Sequence, residues 1–342
     1  MNIKTVYIEI TNRCNLNCRT CYNRSGLNRT THEIPLDGLE AILQTTAQYG
    51  ANRFLFSGGE PSLHSQFHQI LEMTDRYPQA SFGFVTNGTN GDAVWIDYLN
   101  FHDNLTLQIS LDGSDEEQNS LTRGIGNFEK TLRFAQQIKN PNLKRLLKMV
   151  ISQSNLSDVE SFYRLAISLG FTPEFAFIYK SGNATDAWEN KMLSPQQKLK
   201  VLKLVDKLNH AYKTEALLPR CTVACPFVFG TDNLSICIKT DGSIQPCQSL
   251  YAPEFTIGNI FDFKEEAFLK NLDRITALAK QRAATDFGCQ KCLLKDVCKR
   301  GCMAEAYHTS ANPLGNDESC MYRKLQFLDF EIKKNASRAS IG

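Results

Sequence analysis

The twelve cysteines of this 342-residue chain fall into two groups, and that distribution constrains the fold more than any other feature. Cys14, Cys18 and Cys21 lie within eight residues, none occurs from 22 to 220, and nine occur from Cys221 to Cys320. No N-terminal segment resembles a signal peptide and no apolar run reaches transmembrane length. Reduced thiols in a cytoplasmic protein are therefore expected instead of disulfides. The first group, spaced C-x3-C-x2-C, supplies three thiolates where a structural zinc site takes four ligands. A cuboidal iron–sulfur cluster held by three cysteines keeps one iron open to another ligand. The competing readings are a zinc knuckle with a remote fourth ligand and three buried thiols.

The cysteine-free middle reads as strands alternating with helices. Strand-like runs lie at 7–10, 53–57, 81–86, 105–110, 146–151 and 174–179. Helical periodicity is found at 37–49, 64–76, 92–99, 127–139, 157–169 and 194–213. Repeated βα units imply a parallel sheet, and six of them suit an open, partial (β/α)6 barrel of the TIM type. Ligands of such sheets bind at the carboxyl ends of the strands. A 42% apolar fraction supports a sizeable core, and a net charge of +2 gives no reason to expect a nucleic-acid partner.

Polar residues gather at those strand ends. The second strand ends in Ser57-Gly58-Gly59-Glu60, the third in Thr86-Asn87-Gly88 and the fourth in Ser110-Leu111-Asp112, with Arg123-Gly124 opening a later loop. Two glycines allow a close backbone approach, and a carboxylate suits an ammonium group. Taken alone, each reads equally as an ordinary βα turn. Together with the cysteine triad after a strand, they resemble the radical S-adenosylmethionine (SAM) superfamily. The resemblance implies a SAM-binding 4Fe–4S cluster on Cys14, Cys18 and Cys21. It also implies cofactor contacts from Ser57, Gly58, Gly59, Glu60, Asn87, Ser110 and Arg123. Relatives often carry an aromatic residue before the third cysteine; here it is Thr20, so stacking on adenine is expected from Tyr22. Ser152, Gln153 and Asn155 are candidates for ribose or adenine contacts. The chemistry implied is reductive cleavage of SAM to a 5′-deoxyadenosyl radical that abstracts hydrogen from a substrate.

The cysteine-rich end runs Cys289-x2-Cys292-x5-Cys298-x3-Cys302, then Cys320, preceded by Cys221, Cys225, an Asp241-Gly242 hairpin signal and Pro246-Cys247. This order resembles the SPASM extension, a small module with two auxiliary 4Fe–4S clusters. By resemblance, one takes Cys221, Cys225, Cys247 and Cys302, and the other Cys289, Cys292, Cys298 and Cys320. Cys237 is left as a strand thiol, although it could replace Cys221. Zinc is the rival metal. The expected organisation is a radical SAM partial barrel at 1–215, an auxiliary-cluster domain at 216–330 and a polar tail at 331–342.

Relatives with such clusters modify peptides, so a radical SAM oxidoreductase or maturase is expected, making a crosslink or another two-electron oxidation. A flavodoxin- or ferredoxin-like reductant is implied. The first strand begins near Met1, so leader recognition is expected from a separate partner protein or from the barrel itself, in place of an N-terminal recognition domain. The sulfatase-maturating subgroup has an acidic residue after the proline–cysteine; Gln248 stands here and weakens that reading. Alternatives are oxidation or rearrangement of a small molecule (a sugar or tetrapyrrole side chain) and a non-enzymatic electron carrier. Catalytic acid–base residues are not identifiable. His64 and His68 read as surface residues on one helix face, 139–148 as a solvated basic run, Trp95 and Trp188 as packing, and 180–195 as a loop at the barrel mouth.

Overall fold

Val6, Ile8 and Ile10 alternate with Tyr7 and Glu9 along the first strand, and similar alternation recurs in later ones, giving each strand two chemically different faces. The computed structural model describes residues 1–26, 30–216, 224–285 and 288–339, of 332–339 the backbone only. Six strands come first: β1 (Ile3–Thr11), β2 (Arg53–Gly58), β3 (Ser81–Thr86), β4 (Leu105–Ser110), β5 (Lys144–Ile151) and β6 (Thr172–Phe177). Between and after them lie α1 (Leu36–Ala47), α2 (Phe67–Asp75), α3 (Ala93–Phe101), α4 (Glu116–Arg123), α5 (Phe128–Gln137), α6 (Val159–Ser168) and α7 (Pro195–Tyr212). The six strands pair in sequence order and in parallel, as the βα alternation predicts.

One face of the sheet is apolar and packs under the helices. Phe54, Phe56, Phe82 and Phe84 stack along β2 and β3, and Phe67, Trp95 and Tyr98 close over them from α2 and α3. Each such fully buried large side chain contributes about 2–3 kcal/mol. Trp95 and Trp188 are both buried, as expected of packing residues. The other face carries Tyr7, Gln108, Ser110, Lys148 and Glu174 into a cavity.

The C-terminal region contains β7 (Leu234–Ile238), β8 (Ser243–Gln245), β9 (Gly258–Asn259), α8 (Glu265–Ala284), α9 (Lys295–Cys298), α10 (Met303–Ser310) and α11 (Cys320–Ala339). The Asp241-Gly242 turn joins β7 to antiparallel β8. β7 also lies parallel to β1, pairing Val6 with Ile236 and Tyr7 with Cys237, so among the described residues nine strands form one sheet in the order β6-β5-β4-β3-β2-β1-β7-β8-β9. Among the described residues no helix is long and apolar enough to cross a membrane.

Several expectations need correction. Arg123 ends α4, a helix absent from the sequence reading because its one apolar residue is Leu121; Asp115 caps it through the Gln118 N–H, and Gly124 leaves it at φ 87°. His64 precedes α2 instead of sharing its face with His68. It is buried, with Nε2 2.9 Å from the Ile34 carbonyl and Nδ1 accepting from the Gln66 N–H. Lys148, the last residue of the basic run, faces the cavity. The polar stretch read as a tail continues α11 to Ala339, while 340–342 lie outside the described residues.

Candidate active site

The cysteine loop leaves β1 at Thr11 and is held by close backbone packing. Gly59 donates to the Thr11 carbonyl at 2.7 Å and Glu60 to the Arg13 carbonyl at 2.8 Å. A Cβ on Gly58 would stand 2.1 Å from the Thr11 oxygen, and one on Gly59 2.0 Å from the Arg13 oxygen. The two glycines thus admit the cysteine loop itself, a chain–chain contact made besides their place in the cavity wall; Gly58 at φ 131° also has a conformation that side-chain-bearing residues avoid.

A second loop clamps the first from the other side. The Asn183 N–H donates to the Cys21 carbonyl at 2.8 Å, its side chain to the Cys18 carbonyl at 2.9 Å, and Ser181 Oγ to the Tyr22 carbonyl at 3.3 Å. Gly182 fits because a Cβ would fall 2.2 Å from the Cys21 oxygen. The 180–195 segment therefore secures the cysteines.

Cys14, Cys18, Cys21, Tyr22, Ser57, Gly58, Gly59, Asn87, Ser110 and Arg123 all line one cavity of about 310 Å3. Glu60 does not. Its carboxylate is fully buried and accepts from Thr86 Oγ1 and the Asn87 N–H, each at 2.7 Å, and from Ser62 Oγ at 2.8 Å. Burial raises its pKa, against the pull of those donors. Glu60 thus ties the ends of β2 and β3 together, leaving the Ser57–Gly59 stretch to meet the cavity. Arg123 lies at the wall with its Nε 3.0 Å from Asp112 Oδ2. Asp112, fully buried, also accepts from Thr122 Oγ1 at 2.9 Å and the Val150 N–H at 2.9 Å. Asn87 Nδ2 donates to Asn15 Oδ1 at 2.9 Å, bracing the cysteine loop against β3.

Ser152, Gln153 and Asn155 are not in the wall. Asn155 accepts from the Ser152 N–H and donates to the Asp112 and Val150 carbonyls, and Gln153 pairs with Gln197, so these residues build a turn. Sequence reasoning missed Gln108, Tyr179, Ser249 and the Lys148–Glu174 ion pair, 2.9 Å apart in the wall. Strand register sets Lys148 beside Glu174, and charges at inward positions of β5 and β6 were the available signal. Gln248 and Ser249 close the cavity from the cysteine-rich region, next to Cys247.

Among the described residues, three cysteines and no fourth line this cavity, a donor set that suits a cubane cluster with one iron left for another ligand. Burial pushes the Cys14 thiol up to about 11 and the Cys18 thiol up to about 12, so metal loading there must expel protons. Among the described residues no three His, Cys, Asp or Glu side chains converge as a single ion requires. Cubane clusters are held at separate iron corners, so their thiols ring a space.

The superfamily model described as "Radical SAM superfamily" matches residues 8–166. Those residues form a radical SAM domain. The chain is similar to the mycofactocin maturase of Mycolicibacterium smegmatis, 25% identical over 320 residues, covering 92% of this chain and 81% of that protein. In fold it resembles native anSMEcpe with bound AdoMet, at a TM-score of 0.77 and 20% identity over 98% of this chain and 99% of that one. It also resembles Streptococcus suis SuiB bound to precursor peptide SuiA, at a TM-score of 0.74 and 15% identity over 94% and 76% of the two chains. A radical SAM domain takes SAM and a 4Fe–4S cluster, and the cavity around Cys14, Cys18 and Cys21 has the thiol, amide and guanidinium groups that fit them.

In the cysteine-rich region, Cys225, Cys247 and Cys302 are electrostatic neighbours. Burial, then the Cys247 thiol, raises the Cys302 pKa well above its usual value. Cys221 lies outside the described residues. The Cys237 thiol is fully buried and donates to Glu9 Oε1 at 3.9 Å, while Lys239 Nζ meets the same oxygen at 2.7 Å. Cys289 and Cys292 share a turn, and Cys320 stands near Cys298.

Proposed function

We propose that this radical SAM enzyme is a peptide maturase that catalyses a net two-electron oxidation, such as a crosslink. The carrying observation is the shared cavity: the cysteine triad and cofactor-facing groups form one wall, and Gln248 and Ser249 beside Cys247 form another. A second, larger cavity of about 580 Å3 shares Gln108, Lys148, Glu174 and Tyr179 with the first and extends to Cys302, giving room for an extended substrate between the two cysteine regions. The similarity to the mycofactocin maturase along most of the chain supports this reading over a small-molecule substrate.

When bound, the reduced cluster and SAM supply the hydrogen-abstracting radical. The chain's own residues orient and enclose. Asp112 fixes Arg123 for a carboxylate, Ser110 offers a hydroxyl to the cavity, Asn87 braces the cysteine loop through Asn15, and the loop around Asn183 holds the cysteines in place. Gln248 is an amide and accepts no proton at neutral pH, so it does not serve as the base of the sulfatase-maturating type. Glu174 is a carboxylate in the same wall.

Two auxiliary 4Fe–4S clusters, on Cys221, Cys225, Cys247 and Cys302 and on Cys289, Cys292, Cys298 and Cys320, belong to this reading, with a total of three. So do a flavodoxin- or ferredoxin-like reductant, a separate leader-binding protein and a reducing cytoplasmic setting. The division into 1–215 and 216–330 belongs to this reading as one of cysteine chemistry, the two parts sharing one sheet and core. The test is anaerobic reconstitution with iron and sulfide, then SAM and dithionite, with 5′-deoxyadenosine as the readout. Formation that vanishes in Cys18→Ala supports the reading, and absence of both binding and cleavage overturns it. Modification of a co-encoded peptide, read as a mass loss of two hydrogens, tests the substrate.

A further inference from the structure

We propose that Arg323 and Asp317 form a charge couple joining the ligand loops of the two auxiliary clusters, with Arg323 raising the reduction potential of the cluster held by Cys298. This rests on the auxiliary-cluster reading above. Arg323 Nε donates to Cys298 Sγ at 3.1 Å, and its Nη2 meets Asp317 Oδ1 at 2.6 Å. Asp317 Oδ2 accepts the backbone N–H of Cys302 at 2.9 Å. One arginine–aspartate pair thus runs from a ligand of one cluster to the backbone of a ligand of the other. Both side chains are nearly or fully buried, at 5% and 0% exposure.

The chain is built to admit the couple. Gly301, at φ 75°, would place a Cβ 2.1 Å from Asp317 Oδ2 and 2.5 Å from the Arg323 guanidinium nitrogens. Any side chain there would displace the pair. Arg282 and Arg300 are buried alongside, and Arg282 Nη2 stands 3.8 Å from Asp317 Oδ2. Arg282 and Arg323 both reach the Asp317 carboxylate. A cubane with four thiolates is anionic, so the Arg323 guanidinium at Cys298 suits it.

Reduction adds an electron to that anionic centre. A fixed cation and an N–H···S hydrogen bond stabilise the added charge, and both raise the potential. Arg323 is a positioning residue in this scheme and touches no substrate. A higher potential suits a centre that receives one electron from a substrate during a two-electron oxidation.

The experiment uses the full chain with Cys14→Ala, Cys18→Ala and Cys21→Ala, anaerobically reconstituted so that iron reports only the auxiliary centres. Each centre takes one electron from dithionite, and paramagnetic resonance follows the titration. Arg323→Gln is expected to keep its iron and lower one midpoint potential. Arg323→Lys should lower it less, and Asp317→Asn should raise it. Unchanged iron with an unmoved potential in Arg323→Gln overturns the proposal. If that variant loses iron, unmoved potentials in Arg323→Lys and Asp317→Asn overturn it instead. A parent that binds no iron–sulfur centre overturns the auxiliary-cluster reading and the proposal with it.

Discussion

Cys18 and Gly59 show how single residues control the site in different ways. Cys18 is a ligand by chemistry: Cys18→Ala leaves two thiols in the cavity, and SAM cleavage should disappear with a loss of about four iron atoms per chain, measured by metal analysis. Gly59 acts on the ligand loop by sterics. Gly59→Ala places a methyl group 2.0 Å from the Arg13 oxygen, so the cysteine loop must move. The expected outcome is the same iron loss together with a lower melting temperature, whereas Cys18→Ala lowers iron with the loop backbone intact. Glu60 was legible as a motif but not as a contact. Its residue type suggested an ammonium ligand, and only the approach of Thr86 and the Asn87 N–H shows that its oxygens are already engaged.

At the scale of elements, caps and strand ends carry the argument. Ser194 and Gln197 form a reciprocal capping box at the start of α7, with Pro195 at its first position. Ser194→Ala should cost about 1 kcal/mol by denaturant titration, with an unchanged m-value. Asp92 caps α3 by accepting from the Trp95 N–H at 2.9 Å and pairs with His68. Partial burial by itself would raise its pKa and is the largest single influence, but the Trp95 N–H and His68 together outweigh it and leave it below the usual value of 3.8. A depressed carboxylate stabilises the fold above its unfolded pKa and loses that contribution as pH falls through the folded one. Asp92→Ala should therefore cost about 1 kcal/mol at neutral pH. The difference from the parent should shrink as pH drops below 3.8, followed by urea midpoints across the acid range. The six parallel strands were legible because apolar alternation repeats with clear breaks. The α4 helix was not, because Leu121 is its one apolar residue and Asp115 and Gly124 define it by local hydrogen bonding and φ.

The whole molecule is tied together by one strand. β7 extends the sheet at β1, and Ile236, 1% exposed, sits in the same apolar core as Val6 and Ile8. The cysteine-rich region therefore shares its core with the barrel strands. Ile236→Ala should destabilise by about 2–5 kcal/mol. Loss of helical circular dichroism and loss of iron–sulfur absorbance should then occur at one coincident denaturant midpoint. Separate midpoints would show that the two regions unfold independently.

What the sequence determined by itself is the chemistry and its approximate addresses. Cysteine spacing, the Gly-Gly-Glu strand end and the alternating βα pattern are local, and local patterns survive without coordinates. What the tertiary structure decided is which groups face one another. The Lys148–Glu174 pair depends on register between strands, the Asn183 clamp on a contact across more than 160 residues, and the Arg323–Cys298 contact on a helix returning to the cysteine loops. Such contacts are set by packing between elements distant along the chain, and no short stretch of residues encodes them.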